Sequence, residues 1–515
     1  MRFRKSVKDG SATTNAATGT HSDGQTDERP EDEKLPAKLL TIYGLQHILT
    51  MYAGAVAPAL VIGGAADLGA ADLGILVSGA LLVAGIATLL QTLGPWGTGA
   101  QLPIVVGASF VPVSAMTTIA ADPDLGMPVV FGASLVGGLF ALCLTPFFGQ
   151  LVRFFPPVVT GSIITIIGLS LMPVAADWII DESPGHHPSL SNLALAGATL
   201  ALVLLFSRVL PGLLSRLSIL LGMVAGTLIA IPFGKADFSE VTGGPVFSLG
   251  SPLHFGLPEF DTAAILTMCV IMLVVLTEGA SHIIAVGEIV GAKVDARRIS
   301  AGLRADVSAS VLAPLLNGTP GSSFAQNIGL IALTKVKSRF VVAVGAGMLI
   351  ILGLFPILGR IVATIPNPVL GGAGLVLFGT VAASGIRTLG KVDFDDNLNL
   401  ILVATSLGFG IIPIAVPEFY EGLPSWLSTI LESGIVGAAF VAILLNLVFN
   451  VIGGGQYEDD PTVFSAAPTL DQAYPQDGDE EETQPPAAQT DAAAVSPNGS
   501  TATGDAGARL DRDPD

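Results

Sequence analysis

The sequence predicts an all-α polytopic membrane protein with about fourteen transmembrane spans arranged as a 7+7 inverted repeat. Hydrophobic residues make up 51% of the 515 positions and only 13% are charged, well below the quarter or so that is typical of soluble domains. The mean hydropathy is +0.69, and apolar runs of span length follow one another along the chain. Short motifs recur in the two halves, which indicates an internal duplication.

Polar segments flank the apolar part. Residues 1–38 hold seven acidic and seven basic residues and lack the apolar core of a signal peptide. From Gln456 onward, fourteen acidic residues accompany only two basic ones, a composition that buries too little apolar surface to offset the entropy of ordering. We expect a disordered cytoplasmic leader over residues 1–38 and a disordered acidic cytoplasmic tail over residues 454–515. The tail either solvates the protein or binds a regulatory partner.

The transmembrane domain is predicted over residues 39–453, with repeat one at about residues 39–233 and repeat two at about residues 263–453. Lys and Arg residues concentrate in the loops on one side, which by the positive-inside rule places both termini in the cytoplasm. We place spans at residues 39–62, 72–93, 103–117, 127–149, 155–174, 190–207, 214–233, 263–287, 299–315, 320–334, 338–359, 367–384, 398–416 and 430–453.

Two motif pairs support the repeat. Gly107-Ala-Ser-Phe-Val-Pro112 recurs 214 positions later as Gly321-Ser-Ser-Phe-Ala-Gln326, and Pro157-Val-Val-Thr-Gly161 recurs 211 positions later as Pro368-Val-Leu-Gly-Gly372. Seven spans per half is an odd number, so the second half must enter the membrane with opposite polarity. The alternative is that small residues recur by chance where helices pack.

The stretch from Pro320 to Lys335 is the candidate substrate site. It opens with Pro and Gly between long apolar segments, so its backbone must be shielded by protein or line a cavity. Interrupted spans at corresponding places in two halves indicate the midplane site of a secondary transporter.

Ionisable side chains inside spans are costly and point to function. Glu278 and His282 lie four residues apart, on one helical face, where they can contact one ligand; alternatively they lock two helices together. A carboxylate at this depth can take up and release a proton, as coupling to a proton gradient requires. Asp306 either shares a proton or hydrogen bonds with Glu278, or is neutralised by Arg304 or a helix N-terminus.

The side-chain amides of Gln326 and Asn327 both donate and accept hydrogen bonds. A nucleobase edge alternates N–H and C=O groups, so a Gln amide can pair with it through two bonds, while Glu278 accepts from a ring N–H. Backbone N–H groups at the start of a half-helix can bind ring carbonyls. Isolated amides in spans also join helices, and His47 is either a packing group or a ligand contact.

Other chemistries find no support in the sequence. No metal-binding cluster, nucleophile triad or nucleotide-binding loop is present, so we expect neither an enzyme nor a cofactor. Cys143 and Cys269 both lie in apolar runs and indicate neither a disulfide nor a metal site. Nucleic acid is not an expected partner.

These residues resemble the nucleobase–ascorbate transporter family, also called nucleobase-cation symporter family 2. Its signature runs Gln, Glu or Pro, then Asn, any residue, Gly, four residues, Thr, and Arg, Lys or Gly. Gln326-Asn327-Ile328-Gly329 and Thr334-Lys335 meet it in full. Further matches within residues 39–453 are Gln46-His47, Gly107-Ala-Ser-Phe110, Glu278 and Pro368-Val-Leu-Gly-Gly372.

The resemblance implies a core domain and a gate domain, the gate being formed by spans five to seven and twelve to fourteen. Spans three and ten would each contain a short strand and a half-helix. Such proteins are proton- or sodium-coupled importers of uracil, xanthine, uric acid or ascorbate, often as homodimers. The substrate site would comprise Glu278, Gln326, Ser109, Phe110, Phe324, Ala325 and His282, supported by Asp306, Asn327 and His47.

The residues that resemble specificity positions combine features of two subgroups. Uracil-type members pair a carboxylate like Glu278 with a histidine like His282 but usually carry Glu in place of Gln326. Xanthine-type members carry Gln there but usually Asp in place of His282. We therefore expect a xanthine-like purine, with uracil close behind. An anion transporter of the related sulfate-permease architecture is the alternative.

Overall fold

Two three-residue strands from opposite halves of the chain pair inside a bundle of helices. The computed structural model describes residues 29–148, 154–180, 187–236, 238–242, 252–395, 397–420, 422–424, 431 and 433–452. All of these lie in the unit Met1–Thr469. The predicted tail, residues 454–515, lies outside the described residues, as do residues 1–28 of the predicted leader.

In the described residues, each half of the chain has the same order of elements: two helices, a strand with a half-helix, and a series of further helices. The first half consists of α1 (Ala37–Ala65), α2 (Ala70–Leu93), β1 (Val106–Ala108), α3 (Val113–Ala121), α4 (Gly126–Leu144), α5 (Pro157–Ser170), α6 (Met172–Ile180), α7 (Leu190–Val209) and α8 (Ser218–Ala230). The second half consists of α9 (Thr262–Val290), α10 (Ala296–Leu312), β2 (Gly321–Ser323), α11 (Ala325–Thr334), α12 (Arg339–Gly353), α13 (Pro356–Ala363), α14 (Asn367–Leu389), α15 (Asn397–Ala415) and α16 (Gly434–Asn446).

Local sequence explains several helix ends. The side chains of Asp261 and Asp295 accept hydrogen bonds from the backbone at the starts of α9 and α10, which satisfies donors that a helix leaves free. α5 and α14 both begin with Pro in the first turn, where the missing N–H costs nothing. Gly94 and Gly291 end α2 and α9 in the left-handed conformation that glycine adopts readily.

The helices agree with most of the predicted spans. Within the described residues, nine helices are long and apolar enough to cross a membrane, and α12 with α13 forms a tenth, bent pair. The remaining predicted spans correspond to β1 with α3, to α8, to α10 and to β2 with α11, which are shorter or more polar. The number fourteen therefore stays a prediction.

Span eleven, predicted over residues 338–359, is not one continuous helix. α12 and α13 meet at an angle of 77°. The break precedes Pro356, whose ring and missing N–H prevent a continuous helix.

The strands pair antiparallel, with Val106 opposite Ser323 and Ala108 opposite Gly321. Each belongs to the broken span of its half, so the sheet joins the two repeats. Antiparallel pairing of corresponding strands agrees with an inverted repeat, because two copies of opposite polarity run their third spans in opposite directions.

The helices pack in two groups, as the resemblance implies. In one, α1 to α4 pack with α9 to α13 around the two strands; in the other, α5 to α8 pack with α14 to α16. The main contacts between the groups involve α1 against α8, and α9 against α5 and α16. We call these groups the core and the gate.

Residues 29–38 of the predicted disordered leader are ordered. Residues 30–32 form a turn of 3₁₀-helix, Glu31 is buried, and α1 already begins at Ala37. Glu31 and Asp32 form ion pairs with Arg298 and Arg339, so partners distant in the sequence order a segment whose composition is typical of disorder.

Candidate functional site

The backbone at the two breaks is hydrogen-bonded within the protein. The Ser109 amide donates to the Pro320 carbonyl and the Phe324 amide to the Val105 carbonyl, each at 2.8 Å. The Thr88 hydroxyl accepts from the Val106 amide at 2.9 Å and lies 3.1 Å from the Val106 carbonyl oxygen. These bonds shield the irregular backbone that the sequence places at membrane depth.

Close packing brings the two strands against α1. A Cβ on Gly107 would lie 2.7 Å from the Phe324 ring, and one on Gly54 would lie 2.6 Å from it. Glycine at both positions lets the ring lie between α1 and β1. Phe324 is 6% exposed, so its ring is buried between these elements.

Glu278 and His282 both contact β2 from α9. The Ser322 hydroxyl donates to Glu278 Oε2 at 3.2 Å. His282 Nδ1 lies 2.9 Å from the Ser323 carbonyl oxygen, which can only accept, so Nδ1 carries the proton. The two side chains therefore face the same strand, in agreement with their predicted position on one face of the helix.

Asp306, on α10, is surrounded by donors. The Ser323 hydroxyl lies 2.6 Å from Oδ2 and the Ser323 amide 3.3 Å from it, while Gln91 Nε2 donates to Oδ1 at 3.0 Å. Arg304 instead donates to the Ser300 carbonyl. The described contacts therefore include no ion pair between Arg304 and Asp306, which was one of the alternatives that the sequence left open.

Asn327 ties α11 to α1. Its side-chain nitrogen donates to both Nδ1 and the carbonyl oxygen of His47, each at 3.0 Å. His47 is 2% exposed. Its Nδ1 accepts this bond, so His47 is held against the half-helix through Asn327.

Several groups near the break remain available to a ligand. Among the described residues, no hydrogen bond involves the Gln326 side chain or the backbone amides of Phe110, Ala325 and Gln326. Ala325 is exposed and Gln326 partly so. An amide, two N–H groups at a helix start and the Glu278 carboxylate thus offer donors and acceptors to a planar polar ligand.

An aromatic contact joins core and gate beside the site. The Phe110 ring packs edge-on against Phe378 of α14, with 6.2 Å between centroids. Phe378 in turn lies 6.0 Å from the Trp178 ring of α6. Aromatic rings at this distance attract each other. Movement of the gate would therefore displace Phe378, against which the Phe110 ring packs.

Sequence reasoning missed several residues of this cluster. Thr88 and Gln91 are fully buried and bond to β1 and Asp306, and Ser322 and Ser323 bond to the carboxylates. Thr88 and Gln91 are polar residues within an apolar span, which is itself a signal of function. Phe378 gave no such signal.

A helical bundle with paired broken spans and polar groups meeting between them defines a polytopic membrane transporter. A model of the permease family Xan_ur_permease matches residues 38–419. The chain belongs to this family, the nucleobase–ascorbate transporters, and is a permease and not an enzyme.

Curated relatives cover most of the chain. It is 40% identical over 409 residues to a xanthine permease of Bacillus subtilis (strain 168), which covers 79% of this chain and 93% of the relative. It is 40% identical over 438 residues to the uric acid transporter UacT of Escherichia coli (strain K12), covering 83% and 90% of the two chains. It is 32% identical to the xanthine permease XanP of the same strain, covering 81% and 93%.

Solved structures share the fold at low sequence identity. The transmembrane domain of a cyanobacterium bicarbonate transporter BicA matches with a TM-score of 0.53 and 15% identity, covering 81% of this chain and all of that one. The murine anion transporter Slc26a9, in an inward-facing state, matches with a TM-score of 0.55 and 11% identity, covering 83% and 70%. At such identities the likeness concerns the fold alone.

Proposed function

We propose that this permease is a secondary active symporter that imports a xanthine-like purine across the cell membrane, with uracil as the alternative base. The observation that carries the proposal is the free Gln326 amide at the exposed start of α11, four residues after Ser322, whose hydroxyl bonds to the Glu278 carboxylate. Relatives named for xanthine and uric acid, at 40% identity, support the purine.

The groups suit a nucleobase edge. Gln326 can donate to a ring carbonyl and accept from a ring N–H, and Glu278 can accept from a second N–H. The amides of Ala325 and Gln326 can donate to a further carbonyl oxygen. Phe110 and Phe324 supply aromatic surface, and His282 Nε2 makes no bond with any described residue, so it too can reach a ligand.

A proton is the proposed coupling ion, with sodium as the alternative. Glu278 accepts one described hydrogen bond, from Ser322, and most of its helix is apolar. Protonation from outside would favour substrate loading, and loss of the proton on the other side would favour release. Core and gate share few contacts, so a rocking or sliding of one against the other can expose the site alternately.

The coupling proposal is tested by Glu278→Gln, with Glu288→Gln as the matched control. Glu288 lies on the same helix but is exposed near its end. We expect Glu278→Gln to abolish accumulation against a gradient, and Glu288→Gln to retain it at equal membrane levels of protein. Undiminished concentrative uptake by Glu278→Gln would rule out the role.

The substrate is tested by uptake of labelled xanthine in cells that lack their own nucleobase permeases. Excess unlabelled uracil serves as competitor. Xanthine uptake that uracil does not suppress identifies a purine permease in which Gln326 determines the choice of base. Uptake of labelled uracil without uptake of xanthine would make Glu278 and His282 the deciding pair and contradict the purine assignment.

We further propose a location in the cytoplasmic membrane with both termini in the cytoplasm, in agreement with the Lys and Arg distribution. A homodimer is proposed from the family alone. The anion-transporter alternative has less support, because the likeness to anion transporters is one of fold, whereas a carboxylate lies at the centre of this site.

A further inference from the structure

A continuous hydrogen-bonded chain runs from the N-terminal segment to the candidate site. Arg298 Nη2 lies 2.6 Å from Glu31 Oε1, and its Nε donates to the Ala100 carbonyl at 2.6 Å. The Ala100 amide donates to Gln91 Oε1 at 2.8 Å. Gln91 Nε2 then donates to Asp306, which bonds to Ser323 of β2.

The polarity of this chain is fixed at Gln91. Its oxygen accepts from the Ala100 amide, which can only donate, so its NH₂ group must point at Asp306. Gln91 is fully buried, and Ala100 and Asp306 are each 1% exposed. In such surroundings a reversed or unpaired amide is costly, so the position of Ala100 determines how Asp306 is held.

The N-terminal segment, where this chain of hydrogen bonds begins, makes several further contacts with the core. We call residues 29–36 the acidic strap. Asp32 bonds to Arg339 Nε at 2.6 Å, and the Glu33 carbonyl accepts from the buried Ser338 hydroxyl at 2.6 Å. Arg339 also donates to the Thr92 carbonyl at 2.7 Å. The strap therefore joins the segment between α2 and β1 to the first turns of α10 and α12.

These joined segments belong to both repeats and to the core alone. Residues 92–101 lead into β1, and Ser338 and Arg339 follow α11, which carries Gln326. Fixing these segments to one another fixes the distance between the two broken spans at one end. The site lies where those spans meet.

We propose that the acidic strap is a positioning element of the substrate site and that Glu31 acts on Asp306 and β2 through Arg298, Ala100 and Gln91. The inference rests on the proposed function in that the site it positions is the nucleobase site. Glu31 touches no substrate, and its effect is to hold β1 and β2 in the geometry that binds.

The test compares Glu31→Ala with Glu33→Ala in the full chain. The Glu33 side chain is exposed and makes no described hydrogen bond, and only its carbonyl is used. We expect Glu31→Ala to raise the KM for the transported base about tenfold, within the usual range of coupling between sites, and Glu33→Ala to leave it unchanged. Should Glu31→Ala not reach the membrane, Glu31→Gln is expected to raise KM in the same direction by less.

Transmission through Gln91 is tested by a double-mutant cycle. Glu31→Ala should change KM less than twofold in a Gln91→Ala background, because the chain is already broken there. An equal, roughly tenfold effect in both backgrounds would overturn the proposed path. A lower melting temperature with unchanged KM would reduce the strap to a general stabiliser and overturn the proposal.

Hydrogen–deuterium exchange of the purified protein tests the strap without any substrate. We expect faster exchange in Glu31→Ala within peptides covering residues 99–108 and 320–327, and no such change in Glu33→Ala. Faster exchange confined to residues 29–40 would overturn the positioning role. If the unsubstituted protein transports no base, the proposed function fails. The exchange measurement still shows whether the strap positions β1 and β2.

Discussion

The side-chain nitrogen of Asn327 lies 3.0 Å from Nδ1 of His47 and 3.0 Å from its carbonyl oxygen. Asn327 therefore fastens α11 to α1, whereas Gln326, its neighbour in sequence, makes no hydrogen bond with the described residues. Adjacent amides on one half-helix thus have separable tasks, one in holding the site and one in presenting a free group to it.

Asn327→Ala should lower stability and Gln326→Ala should not. Removing the Asn327 amide leaves the buried Nδ1 of His47 without its hydrogen-bond donor, which costs about 1–3 kcal/mol. Gln326→Ala removes only a free, partly exposed amide, so substrate binding should weaken while the melting temperature stays unchanged. Thermal unfolding and substrate binding of the two purified variants check this. Equal melting temperatures would contradict the division of tasks.

Gly107→Ala should disrupt the site because its methyl group would lie 2.7 Å from the Phe324 ring. Overpacking of this kind typically costs about 1–3 kcal/mol, and displacement of Phe324 should reduce uptake by about tenfold or more. Gly347→Ala on α12 is the control, since nothing lies within 4 Å of its added Cβ. Uptake per amount of membrane protein is the measurement, and equal uptake by both variants would refute the close contact.

Ser323→Ala should be more damaging than Ser322→Ala. The Ser323 hydroxyl bonds to Asp306 at 2.6 Å in a fully buried position, whereas Ser322 bonds to Glu278 at 3.2 Å. A buried group that loses its hydrogen-bond partner costs about 1–3 kcal/mol. We expect Ser323→Ala to lower both the melting temperature and transport, and Ser322→Ala to change transport alone. The reverse order would show that Asp306 does not depend on this bond.

Gln326→Glu should move specificity from purine toward uracil. The substitution replaces a group that donates and accepts by one that, when ionised, only accepts, and uracil-type members of the family usually carry Glu here. Competition of unlabelled xanthine and uracil for uptake, compared between the unsubstituted protein and the variant, measures the change. An unaltered ratio would place the choice of base elsewhere in the site.

The sequence predicts the local features of this molecule well. Pro157 and Pro368 at helix starts, the polar interruption at Pro320 and the recurring Gly107 and Gly321 motifs all lie where the structure has the corresponding elements. These features depend on neighbours in the chain, or on a repeat that is visible in the letters.

Features that depend on distant partners are harder to predict. Glu31 belongs to an acidic, proline-containing segment typical of disorder, and only its pairing with Arg298, 267 positions away, shows otherwise. Gln91 bonds to Asp306 across 215 positions. Sequence periodicity cannot predict a contact between residues so far apart in the chain. The bend before Pro356 could have been predicted from that residue, but the hydropathy of the run favoured one span.

The pairing of β1 with β2 also bears on how the protein is made. Gly321 follows its partner Ala108 by 213 positions, so the first strand enters the membrane long before its partner exists. At about 5–20 residues per second, synthesis of the intervening chain takes on the order of 10–40 s. Throughout that interval β1 has unpaired backbone groups that lipid cannot satisfy. The nascent first half must therefore be sheltered, by the insertion machinery or by its own helices, until the ribosome delivers the second strand.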